Sequence, residues 1–522
     1  MNKKNIYYLL FLLLFIFYFE YSVTILWDSA HYMNYVNILE GTIPVNTWDV
    51  VRGPIFPLII YFGNLLFGKT SQGLTMNTFM YYLLMLFFVY KMLVCVLSNF
   101  KICDKNKKVF MYIVYFLIIF NPIIFGFYHS FLTEFVAITL SIISCYFSFI
   151  WLDFDVLNKK KKFAILSLWF GFLTIFSWFL KQPYVSCGLF PLLVSYLISL
   201  FRKINLKLFI YRTSTLLFCL LSLFISIKLW NFILIKIGVD PNTDRNPTVS
   251  FGYTLINGLG FAEINSNDEI KDIDYIEKIK LSKSEKKEVL NLILNNKDYI
   301  IINIYNNNEI FQSDFIEIDN GSLTSTDAIA YIVKYFFKDP IAILDAYFSN
   351  YLSIVDIYST TTDDGVGYSS TKKIDLSFSN EIGTIAFKPY NYGSSNIFYM
   401  LPEMETKVEC YKQVNYNFKF INYAMLLLGK VFLFLFKLLF VLLPFNLLAS
   451  IILMCKKKNK IKQKKVLGFI IILLGFSFLH LLLHTVTGAI IDRYAVPAFL
   501  TTILGTLFLV LYLCEYKLKK YK

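Results

Sequence analysis

Ten apolar segments, each close to the length of a bilayer crossing, alternate with short clusters of Lys and Arg. They run over 6–26, 74–97, 109–127, 131–152, 163–180, 185–200, 213–237, 425–454, 466–483 and 495–513. A hydrocarbon core of about 30 Å needs about 20 helical residues to cross it, and only helices or closed barrels satisfy their backbone groups there. The chain of 522 residues is 57% hydrophobic and 16% charged, too apolar for a water-soluble protein of this size. A polytopic helical membrane protein is the expectation. No small-residue cleavage site follows the first segment, so it reads as a retained anchor.

The basic clusters set the orientation. They lie at 3–4, 101–108, 159–162, 202–212, 456–465 and 517–522, and together hold half of the 50 Lys and Arg residues. With the N-terminus in the cytoplasm, every cluster falls inside, as positive-inside topology requires. The C-terminus is then cytoplasmic too. The net charge of +14 is therefore a topology signal, with anionic headgroups as its partner. Its division among short loops excludes a nucleic-acid-binding face.

On the outer side this topology gathers a loop from Trp27 to Gly73, two short turns at Tyr128-His129-Ser130 and Lys181-Gln182-Pro183, a long polar region, and a final turn from His484 to Pro497. In the first loop, Asp28 can start a helix that Gly41 ends. Tyr32 then lies one turn from Asp28, on the same side. Pro54 opens a second helix over 55–67, apolar but too short to span, which reads as interfacial.

The polar region, 238–422, is a composition break rich in Asn, Asp, Ser and Thr. It carries helical patterns after Ser282-Lys283-Ser284-Glu285, over 325–337 and from Pro340 to about Ile357. Tyr358 to Tyr399 reads as loops and short strands. The expected architecture is mainly α: a polytopic bundle of about ten or more spans, with interfacial helices on the outer face and one α+β extracytoplasmic domain. Its parts are an N-terminal transmembrane module at 1–237, including the outer loop at 27–73, then the domain at 238–422 and C-terminal spans at 423–522.

Charges near membrane depth are costly and usually serve a function. Asp28, where the first span ends, can take a proton from an attacking hydroxyl, or can simply cap its helix. Glu134 starts the fourth span on the same side. It can hold a metal, orient an acceptor or share a proton with Asp28, or merely complement the helix dipole. Lys181 breaks the positive-inside pattern. A phosphate at the outer surface would explain it, and so would snorkelling. Arg493 offers a second phosphate fork, or pairs with Asp492. His480 and His484, at i and i+4, have a spacing that can hold a metal, with no third ligand nearby in sequence.

These pieces, in this order, resemble the GT-C superfamily of membrane glycosyltransferases, and its protein O-mannosyltransferase and aminoarabinose-transferase branch in particular. Asp28-Ser29-Ala30-His31-Tyr32 is similar to the Asp-Glu-x-x-Tyr motif that follows the first span in that family. Arg52-Gly53-Pro54-Ile55-Phe56-Pro57 matches the Pro-containing motif ahead of an interfacial helix. Thr133-Glu134, Lys181-Gln182-Pro183 and Arg493-Tyr494-Ala495-Val496-Pro497 match the later acidic, Lys-turn and Arg-Tyr-x-x-Pro motifs. Ser29 departs from the family by standing where that motif has its second acid, the one that metal use or carboxylate pairing would draw on. No acceptor-binding module is recognised in 238–422.

The resemblance implies an inverting transfer of a sugar from a polyprenyl-phosphate carrier in the outer leaflet to an extracytoplasmic acceptor: a cell-envelope glycan, a lipid or a protein. Asp28 would be the base, with Glu134 beside it in the catalytic set. Tyr32, Arg52, Lys181, Arg493 and Tyr494 would bind substrate. The resemblance fixes no cofactor, and a divalent metal is the one the acids leave open. A polysaccharide or lipid transporter is the competing class, and a non-catalytic membrane scaffold a third. Transporters often carry internal repeats and mid-membrane polar residues. This chain has no repeat and keeps its unusual charges at one surface.

Overall fold

The computed structural model describes residues 3–19, 27–100, 102–129, 131–153, 160–200, 206–242, 251–264, 281–295, 298–306, 309–318, 323, 325–354, 419–456, 461–487 and 492–520. Helix α1 (Lys3–Phe19) leads to α2 (Trp27–Leu39), the short apolar α3 (Ile55–Phe67) and α4 (Ser71–Leu97). Next come α5 (Asp104–Ile119), α6 (Pro122–Tyr128), α7 (Glu134–Asp153), α8 (Lys160–Leu180), α9 (Val185–Leu200) and α10 (Leu206–Lys236). The polar region contributes α11 (Phe251–Asn257), β1 (Phe261–Ile264), α12 (Lys283–Leu294), β2 (Asp298–Asn306), β3 (Glu309–Ile318), α13 (Ser325–Lys338) and α14 (Pro340–Ile354). Three long helices follow: α15 (Lys419–Cys455), α16 (Ile461–Val486) and α17 (Val496–Lys520).

Among the described residues, eight helices are long and apolar enough to cross a membrane. The segment expected to cross as one helix over 109–127 is instead two, α5 and α6, bent by 56° at Phe120-Asn121. Asn121 causes the break. Its side chain caps α6 by accepting from the amides of Ile123 and Ile124, and Pro122 cannot donate to continue α5. Where the first span was expected, over 6–26, the structure has the 17-residue helix α1, which is not among those eight, and residues 20–26 lie outside the described residues.

Burial divides the bundle into centre and rim. Within their spans α7, α16 and α17 are 83%, 78% and 72% buried, whereas α10 is 11% buried and turns its apolar surface outward. Oil-like solvent gives helices no reason to associate by hydrophobicity alone, so close packing and hydrogen bonds must join them. Small residues do this here. Ser144 donates to the Gly188 carbonyl (3.0 Å), Ser141 to Pro497 (3.2 Å) and Ser195 to Ser148 (3.2 Å). A Cβ on Gly188 would stand 2.5 Å from the Leu173 carbonyl oxygen, so only glycine allows α8 and α9 to approach this closely. Lys91, Lys228 and Lys236, which interrupt apolar helices, each lie over an aromatic ring one turn earlier, Phe87, Phe224 and Phe232.

In the polar region β1, β2 and β3 form an antiparallel sheet in that order. Strand β2 is central and covered on both faces: Ile300 and Ile302 pack toward α13 and α14, Tyr299 and Ile301 toward α12. Alternation along a strand sends neighbours to opposite faces, so the run Tyr299-Ile300-Ile301-Ile302 suits a doubly buried strand. Strands were expected over Tyr358–Tyr399, which lies outside the described residues; the observed sheet precedes it. Helix α12 starts at a capping box between Ser282 and Glu285, as its sequence suggested.

Candidate functional site

The first loop is pinned before it reaches the site. Tyr35 donates its hydroxyl to the Asp49 carbonyl (3.1 Å), the Asp49 carboxylate accepts from the Val51 amide (3.1 Å), and the Trp48 indole donates to the Arg52 carbonyl (3.2 Å). Gly41, at φ 75°, ends α2 in the left-handed region that glycine tolerates. With the loop so held, the Arg52 guanidinium lies 5.8 Å from the Tyr32 ring centroid. Tyr32 is buried and meets Phe56 edge-on at 4.6 Å; Phe56 in turn meets Phe131 and Phe135 at 5.7 and 5.8 Å. These rings bring α2 and α3 against the start of α7, where Glu134 is 1% exposed and accepts from Thr133 Oγ1 (3.2 Å).

Gly53 ties this loop to the next element. A Cβ there would fall 2.2 Å from the carbonyl oxygen of Phe179, so the backbone of the Arg52-Gly53-Pro54 motif lies directly on the end of α8. Two residues further on, Lys181 leaves the helix. It is 5% exposed, and its Nζ stands 4.5 Å from the Tyr494 ring centroid. Buried cations need such compensation, and the face of an aromatic ring supplies part of it. None of Tyr32, Arg52, Glu134, Lys181 and Tyr494 is without a partner.

Tyr494 is held from the other side by α16. The His480 ring contacts the Tyr494 carbonyl through Nε2 (2.7 Å) and Ser186 Oγ through Nδ1 (2.6 Å). A carbonyl only accepts, so Nε2 carries the proton. With both nitrogens occupied, His480 cannot ligate a metal together with His484, which removes the metal reading of that spacing. Among the described residues no three His, Cys, Asp or Glu side chains gather into a metal-binding group, so the side chains described do not fit a metal. His484 stacks on Tyr494 at 5.2 Å and 22°, and is buried with neither ring nitrogen hydrogen-bonded among the described residues.

Five of the expected site residues thus belong to one end of the bundle. Tyr32 touches Arg52, Lys181 touches Tyr494, Gly53 on Phe179 joins those pairs, and Phe56 links Tyr32 to the start of α7. The backbone of Asp28 is the second residue of α2, and that of Arg493 lies in a short 3-10 turn, Asp492–Ala495. The side chains of Asp28, Asp492 and Arg493 lie outside the described residues. Ser186 carried no signal in the sequence, since its partner is 294 positions away. Comparison with family models, curated proteins and solved structures found no match.

Proposed function

We propose that this chain is a membrane glycosyltransferase, moving a sugar from a polyprenyl-phosphate carrier to an acceptor on the outer side of the membrane. The observation that carries the reading is the buried Lys181 ammonium over Tyr494, on a helix end against which Gly53 seats the first loop. A cation held at that position, in a chain of apolar spans, suits an anion that arrives from the lipid side. The carrier's phosphate is such an anion, and it gains charge as it departs.

In the proposed reaction the acceptor hydroxyl oxygen attacks the anomeric carbon as the bond to the phosphate oxygen breaks. The hydroxyl proton passes to the Asp28 carboxylate, and the electron pair leaves on the phosphate, which Lys181 and Arg493 neutralise. Attack opposite the leaving group inverts the anomeric centre. Tyr32 and Arg52 border the acceptor side, and Glu134 orients the acceptor. No step uses a metal. The basic clusters would face the cytoplasm, with 238–422 outside.

Asp28→Asn keeps the size of the side chain and removes its basicity. The expected result is loss of sugar transfer from a polyprenyl-phosphate donor, with normal insertion and melting. Wild-type transfer by this variant would remove the base assignment. If neither protein transfers sugar while both move the carrier across vesicles, the transporter class takes its place.

A further inference from the structure

We propose that α13 and α14 form a lipid-binding hairpin that lies in the interface of the membrane leaflet on the site's side, independently of the reaction assigned above. Helix α13 has three faces at about 100° per residue. Ala328, Tyr331, Ile332 and Tyr335 pack inward, in the apolar cluster shared with α11, α14, Ile300 and Ile302. Asp327, Lys334 and Lys338 form a second, polar face. Ile329, Val333 and Phe337 form a third, which is apolar and open, with Phe337 81% exposed. A helix buried only against its own domain would have two faces, one apolar and one polar.

Helix α14 repeats the pattern after the break at Asp339, whose carboxylate caps it by accepting from the Ala342 amide (3.0 Å). Ala342, Ile343 and Ala346 pack inward, while Ile341, Leu344 and Phe348 are 75%, 58% and 59% exposed. Six open apolar residues are thus carried by the two helices, from Ile329 to Phe348.

Where α14 is fastened identifies the occupant. Asn350 donates to the carbonyls of Gly258 (2.8 Å) and Thr485 (3.2 Å), at the end of α16 next to His484. Tyr351 donates to the carbonyl of Phe440 (2.7 Å). Phe440 lies within the apolar span Phe434–Cys455 of α15. The C-terminal turn of α14 therefore reaches membrane depth, and Tyr351 and Leu352 join the apolar core of the bundle. An apolar face continuous with that anchor, flanked by Lys334 and Lys338, fits acyl chains beneath anionic headgroups.

The test is footprinting of the full chain in vesicles of phosphatidylcholine with phosphatidylglycerol, using a lipid-dissolved diazirine in one arm and hydroxyl radicals in the other. The diazirine should label Phe337, Ile341, Leu344 and Phe348 and leave Asp327, Lys334 and Lys338 unlabelled; the radicals should give the reverse. Leu344→Asp with Phe348→Asp should abolish diazirine label on this segment while labelling of α10 persists. Radical modification of Phe337 and Phe348 without diazirine label would overturn the proposal. So would protection from both reagents with cross-linking between two copies, which would make the face a contact between chains.

Discussion

The α-carbon of Gly53 faces the carbonyl oxygen of Phe179 so closely that a methyl group there would stand 2.2 Å from it. The partner is backbone at the end of α8 and cannot swing aside. Gly53→Ala should therefore push the first loop off α8 and separate Arg52 and Tyr32 from Lys181. Overpacking of this kind costs about 1–3 kcal/mol. The expected outcome is a lower melting temperature together with loss of transfer. Unchanged activity would show that the loop and Lys181 work independently.

Lys181→Met should separate function from stability. A buried cation contributes little to folding, because its desolvation offsets its contacts. The variant should melt at or above the wild-type temperature. Its kcat/KM with a polyprenyl-phosphate donor should fall about a hundredfold, as when a group that stabilises developing negative charge is removed. A destabilised variant with normal kinetics would assign Lys181 a structural role.

The two histidines of α16 should respond oppositely. His480→Ala leaves the buried Tyr494 carbonyl without its donor, while the Ser186 hydroxyl keeps the Pro183 carbonyl as its acceptor. Each lost partner in a buried site costs about 1–3 kcal/mol. Among the described residues His484→Phe removes no hydrogen bond, and it keeps the stacking on Tyr494, so thermal stability should hold or rise. If His484→Phe nevertheless weakens donor binding in a titration, the free imidazole serves the ligand.

Acid should loosen α12 locally. The Ser282 hydroxyl and amide beside Glu285 hold its carboxyl below the usual carboxylate range. The folded value is the lower one, so the ionised carboxylate stabilises the cap above the unfolded value of about 4.3, and this is lost as pH falls through the folded value. Hydrogen exchange over residues 283–294, corrected for intrinsic rates, should accelerate in that acidic window. Ser282→Ala should exchange faster at neutral pH, by about 1 kcal/mol of lost capping, with a flatter pH dependence.

Much of this molecule could be read without coordinates. The helices of the apolar segments, α3 at Ile55–Phe67, the cap at Ser282 and the break at Asp339-Pro340 follow from hydrophobic length, capping chemistry and proline, all of which act within a few residues. The bend at Asn121 was written there as well, since Asn-Pro is a helix start, but its apolar flanks hid it inside one long hydrophobic window. The β2–β3 hairpin was missed because an isoleucine run in a polar region suits a buried helix as readily as a strand.

What the chain determined by itself was that its apolar stretches must become helices in a membrane and that unusual charges would stand near their ends. Tertiary structure alone decided which of those ends meet. Gly53 finds Phe179, Lys181 finds Tyr494 and Ser186 finds His480 across separations of more than a hundred residues. Such pairings depend on how helices pack against one another through small residues and aromatic rings, and no local periodicity encodes the partner.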